Sequence, residues 1–107
     1  MRAGLKVDQE TVGDGATAEQ GDRVTVRLEI RLNRGELVQS LDDYSFVLGK
    51  RDVIAAVEYG VEGMRVGGHR NFRAGPHLCY RSDGVPGVIP ADAVLCLDIR
   101  LLKCERI

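Results

Sequence analysis

The chain has no tryptophan, and its aromatic residues are three tyrosines and two phenylalanines. A surface that stacks on single-stranded nucleic acid needs aromatics set in a basic stripe, and this sequence offers neither. No charge of one sign dominates. Fifteen Lys and Arg face 16 Asp and Glu, a formal net charge of −1. That balance argues against nucleic acid or an anionic membrane as a partner, since both select a basic excess. No apolar run approaches the roughly 18 residues of a membrane span. The opening residues, MRAGLKVDQETVGDG, lack the apolar core of a secretory signal, so a cytoplasmic location is expected. Cysteine is scarce too. Cys79, Cys96 and Cys104 are odd in number and fit neither a disulfide framework nor a zinc pattern. Reduced thiols and no bound metal are expected.

What is present reads as an ordinary globular chain. With 107 residues, 44% of them hydrophobic and 29% charged, one monomeric domain over 1–107 is expected rather than a disordered segment. The clearest pattern is Val24, Val26, Leu28, Ile30 and Leu32 alternating with polar residues. Period two over this length describes a strand with one buried face. Leu95, Leu97, Ile99 and Leu101 repeat the pattern near the end, and Leu5–Val12 and His69–Ala74 read as further strands. Asn33-Arg34-Gly35-Glu36 supplies a hairpin turn. The return strand starts at Leu37, is broken by Ser40-Leu41-Asp42-Asp43, and resumes with Tyr44, Phe46 and Leu48. The one good helix candidate runs from Asp52, a favourable starting residue, to about Val61, with Gly60 as its left-handed C-terminal residue. Gly75–Pro90 is a long loop holding all three prolines. The implied class is α+β, an antiparallel sheet wrapped on one short helix.

Standard catalytic constellations are missing. Cys79 and His77 have no third group to orient them, and the adjacent Asp42 and Asp43 on a loop point apart into solvent. No glycine-rich loop sits between a strand and a helix in phosphate-binding order. What remains is an apolar site, for which Val53-Ile54, Tyr80 and Val88-Ile89-Pro90 lie in or beside loops.

These residues sit within a longer co-linear set: Phe46-Val47-Leu48-Gly49-Lys50, Val53-Ile54, Glu58 to Gly67, Pro76-His77-Leu78-Cys79-Tyr80, Gly84 to Leu95, and Asp98-Ile99-Arg100-Leu101-Leu102. In order, spacing and turn glycines this resembles the FKBP-type peptidyl-prolyl isomerases, from about Val12 to Lys103. The resemblance implies a twisted antiparallel sheet half-wrapped around one short helix. It also implies two hydrogen-bond donors, the Tyr80 hydroxyl and the Ile54 backbone N–H. Leu28, Val38, Tyr44, Val53, Val57, Val88, Ile89 and Leu97 would line the substrate pocket. The sequence departs from the family at several of these. Leu28 replaces a tyrosine, Val38-Gln39 a phenylalanine–aspartate pair, Val57 the indole of the pocket floor and Leu97 a phenylalanine. Arg81 stands where glycine follows the loop tyrosine. The aromatic box is thus rebuilt largely from aliphatic side chains, and the buried polar network is lost as a unit.

The function so implied is cis–trans isomerisation of X–Pro bonds in peptides or protein clients, weakened or altered in specificity. Macrolide-type ligands would bind weakly, and no cofactor is needed. The alternative is a non-catalytic FKBP-like module that binds a peptide or partner. A small-molecule carrier using the enlarged apolar cup is a third reading.

Overall fold

A computed structural model describes residues 4–81 and 83–107. The run with the strongest period-two pattern forms β2 (Arg23–Leu32), and its burial alternates residue by residue as the pattern predicts. Val24, Val26, Leu28, Ile30 and Leu32 are buried on one face. Burying each such side chain contributes about 1.5–3 kcal/mol, so a single face of one strand anchors a large part of the core. Around it lie β1 (Leu5–Thr11), β3 (Leu37–Val47), β4 (His69–Ala74) and β5 (Leu95–Glu105). The five pair antiparallel in the order β1-β4-β5-β2-β3. With the helix α1 (Ala55–Val61) laid against it, this is the α+β arrangement expected from the sequence.

Three expectations fail, at the return strand and at the two ends of the helix. The return strand is not broken at Ser40–Asp43, because β3 runs unbroken from Leu37 to Val47. Its register against β2 slips between Val26↔Tyr44 and Leu28↔Leu41, so Asp42 and Asp43 together oppose Arg27. This bulge absorbs the extra polar residue and bends the strand without ending it. A second slip, between Ile30↔Gln39 and Arg31↔Leu37, leaves Val38 as the extra residue.

The helix is also shorter than Asp52–Val61. Its N-cap is Ile54, in an extended conformation with no side-chain cap, so Asp52 lies two residues outside it. Gly60 is not the left-handed terminator either. That residue is Gly63, at φ 86°. Gly60 lies inside the helix because the ring of Phe72 occupies the space a Cβ would fill. Close approach, not backbone conformation, requires glycine there.

The long loop between β4 and β5 begins with a 3-10 turn at Pro76–Leu78. Farther on, Val85 and Ile89 exchange N–H···O=C bonds of 2.8 Å in each direction, closing a small hairpin with Gly87 at its turn. Among the described residues no helix is long and apolar enough to cross a membrane.

Candidate active site

The sheet curls over α1, and the mouth between them holds a cavity of about 480 Å3. Leu28 and Ile30 of β2 line it from the sheet, and Val57 lines it from the helix. All three are almost wholly buried, so they form a rigid apolar floor. Tyr44 and Leu41 of β3 line one wall. The ring of Tyr44 leans on Phe46 two residues along, with centroids 5.8 Å apart. Val53 and Ile54 line the opposite side, ahead of the helix, and Tyr80 comes in from the long loop.

Local hydrogen bonds hold these groups in place. The Ile54 carbonyl accepts the N–H groups of Val57 (3.0 Å) and Glu58 (3.2 Å), which fixes it as the first carbonyl of the helix. Its own N–H lies outside the helix, and no acceptor takes it among the described residues. The loop before it is tied down by Glu58, a buried carboxylate that accepts the N–H groups of Gly49 (2.8 Å) and Arg51 (3.1 Å). Those two bonds satisfy a charge that would otherwise be costly to bury. Tyr80 is held by its neighbours. The N–H groups of Cys79 and Arg81 both donate to the Pro76 carbonyl, at 3.0 and 2.8 Å. The Tyr80 hydroxyl itself has no partner among the described residues, and the residue is half-buried.

The electrostatics favour neutral groups. Burial raises the pKa of Tyr80 above the ordinary phenol value, helped by charge repulsion from Cys79, so the hydroxyl stays a donor at neutral pH. Burial also pushes the Cys79 thiol up to about 11, so it carries no thiolate for nucleophilic or metal chemistry. The three cysteines are separate half-buried thiols. Asp52 and Gln39 are the polar lining beside Tyr80.

Six of the ten sequence-derived positions therefore share this cavity: Leu28, Tyr44, Val53, Ile54, Val57 and Tyr80. Val38, Val88 and Ile89 line a smaller adjoining cavity of about 180 Å3, which shares Ile30, Gln39 and Tyr80 with the main one. Of that pair at the loop tip, only Val88 stays exposed, and Ile89 is buried in the core. Leu97 is the correction. It is fully buried in β5, pairs with Ile30 on one side and Phe72 on the other, and lines neither cavity. Its place on β5, between β4 and β2 in the middle of the sheet, keeps it in the core. Ile30, Leu41 and Asp52 also line the main cavity and were not singled out from the sequence. Ile30 belongs to the same period-two face as Leu28 and could have been found that way. Leu41 reaches the wall through the β3 bulge, which leaves no trace in the alternation.

The sequence that builds this cup is matched by a family model. A model described as FKBP-type peptidyl-prolyl cis-trans isomerase covers residues 15–102. The chain belongs to that family. The FKBP-type match takes in β2 to β4, α1, the long loop and β5 as far as Leu102, so every wall of the cup falls inside it. Relatives of this FKBP-type domain include FK506-binding protein 4 of Gibberella zeae, 41% identical over 105 residues. That stretch is 95% of this chain and 21% of the relative. FK506-binding protein 4 of Neurospora crassa is 40% identical over 95% of this chain and 22% of its own length. FK506-binding protein 3 of Candida albicans is 37% identical over 98% of this chain and 25% of its own. The chain thus spans a fifth to a quarter of the length of these curated relatives.

Proposed function

We propose that the chain accelerates cis–trans isomerisation of X–Pro peptide bonds, with the proline ring seated in the cup over Val57. The observation that carries this reading is an apolar cavity fitted with two unengaged donors, the Ile54 N–H and the Tyr80 hydroxyl. Rotation about X–Pro must break amide resonance, a barrier of roughly 18–20 kcal/mol. A twisted amide is less polar than a planar one, so transfer from water to an apolar cup favours the transition state over the ground state. Neither proton transfer nor a bound cofactor is required. The two donors hold the flanking carbonyls and so supply orientation.

In this reading Leu28, Tyr44, Val53 and Val57 grip the ring. Val38, Val88 and Ile89 contact the chain beside it, and Leu97 packs beside Ile30 on the neighbouring strand. With Val57 where the family has an indole, and Gln39 where it has an aspartate, grip and orientation are weaker. Activity is therefore reduced or altered in specificity. Substrates are proline-containing peptides or segments of protein clients, met by a monomer in the cytoplasm, a setting consistent with three unpaired thiols. Macrolide-type ligands bind weakly, since each lost Å2 of apolar contact costs about 25 cal/mol.

A non-catalytic binding module is favoured by one feature: among the described residues no ion pair in the lining orients Tyr80. An isomerisation assay on X–Pro tetrapeptides separates the two. Acceleration supports the enzyme, and peptide binding without acceleration supports the module.

A further inference from the structure

Beside the apolar cup lies a second cavity of about 630 Å3, and Val53 lines both. Its character is different. Arg51, from the loop before α1, and Arg81, from the long loop, meet there with Glu58, Glu62 and Gln20. Both carboxylates are already engaged. Glu58 accepts the Gly49 and Arg51 N–H groups, and Glu62 accepts from Gln20 Nε2 at 2.6 Å. Neither guanidinium has an ion-pair partner among the described residues, although six other arginines do. Arg51 and Arg81 also share an uncommon backbone. Their φ angles are 60° and 51°, in the left-handed region that side chains with a Cβ seldom adopt. Such conformations persist where the surroundings impose them, and they gather at ligand-holding sites. Arg81 directly follows Tyr80, whose side chain lines the apolar cup. Val53 lines both cavities, so a peptide that crossed it from the cup would pass into the cavity lined by Arg51 and Arg81.

We infer that this second cavity is an anion subsite, in which Arg51 and Arg81 take a carboxylate or phosphate monoester on a peptide side chain next to the proline. The inference rests on the proposed X–Pro site and adds to it a rule for what flanks the proline. Planar guanidinium forks suit both oxyanions, which accept paired N–H donors. Glu58 and Glu62 stand in the same cavity, and Asp52 lines the cup, so the gain is that of a partly screened pair.

The test is binding of four fluorescent X–Pro peptides that differ only in the residue next to proline: glutamate, glutamine, phosphoserine and serine. Wild type is expected to bind at least one anionic peptide about three- to tenfold more tightly than its neutral counterpart at low salt, falling toward parity at 1 M salt. Preference for glutamate alone or phosphoserine alone assigns the subsite to that oxyanion. The double variant Arg51→Gln with Arg81→Gln is expected to abolish the ratio. Should it misfold, glycine at both positions suits the positive φ and removes the same charges. Equal affinities in wild type overturn the inference, as does a ratio that survives in the variants. A protein that binds the anionic peptide more tightly but accelerates no isomerisation refutes the enzyme reading and leaves the subsite standing. Binding of none of the four peptides overturns the subsite, and the isomerisation assay alone decides the enzyme reading.

Discussion

Cys79 and Tyr80 are adjacent, and burial moves both in the same direction. The thiol rises from 9.0 to about 11, and the phenol rises above its ordinary value. A raised folded-state pKa means the folded chain holds its proton more tightly than the unfolded chain. The resulting stability is fully present below about pH 9 and is lost as pH rises through about 11. A rise to about 11 would correspond to about 2.7 kcal/mol for a fully buried thiol, but Cys79 is only partly buried, and screening reduces this to on the order of 1–2 kcal/mol. Urea melts should therefore show a loss of that size between pH 8.5 and 11, and Cys79→Ala should flatten it. Equal slopes for the two proteins would contradict this assignment. Val57 offers a second residue-scale prediction. It lies at the floor of the 480 Å3 cavity, so Val57→Trp adds contact area where space is open. Macrolide affinity should rise about tenfold by titration, the gain expected from several tens of Å2 of new apolar contact. Unchanged affinity would mean that the indole cannot enter. Val53, Ile54 and Tyr80 stand out in the sequence as apolar or aromatic residues beside loops, and only the family resemblance gives them roles. Leu97 holds a family pocket position, but in this chain it lies mid-sheet between Ile30 and Phe72 and stays in the core.

At the scale of elements, alternation exposed β2 and β5 because each has one wet face and one dry face. It failed for β3, where bulges at Asp42-Asp43 and Val38 shift the phase. Those bulges bring Leu41 into the wall and set Val38 beside Gln39 in the smaller cavity. The helix start was misplaced because Asp52 resembles a cap, whereas the carboxylate that organises the loop is Glu58, inside the helix. No periodicity encodes a bond that reaches seven to nine residues back along the chain. Gly60 was assigned to the helix end although Phe72 holds it in the interior. That correction gives a prediction with an unusual sign. Gly→Ala inside a helix normally stabilises by about 1 kcal/mol. Here the added methyl meets a fully buried ring, and overpacking costs typically 1–3 kcal/mol. Gly60→Ala should therefore lower the denaturation midpoint. A raised midpoint would show that Phe72 can move aside.

Across the whole molecule, the strand order β1-β4-β5-β2-β3 sets β3 at one edge, and its Leu41 and Tyr44 line one cavity with Ile54, ahead of α1, and Tyr80 of the long loop. The apolar cup and the arginine-lined cavity both lie there and share Val53. The second cavity was not legible, because loops thirty residues apart become neighbours only through the fold. The cup was legible only through resemblance, since its aliphatic lining carries no motif of its own. The central claim is that this aliphatic cup, with two donors, suffices for X–Pro isomerisation. Exchange NMR on an X–Pro tetrapeptide with catalytic amounts of protein tests it most directly. Wild type should raise the cis–trans exchange rate, and Tyr80→Phe should lower kcat/KM about two- to tenfold, the loss expected for one hydrogen bond of about 0.5–1.5 kcal/mol. Exchange at the uncatalysed rate with every X–Pro peptide, despite a folded protein, would contradict it.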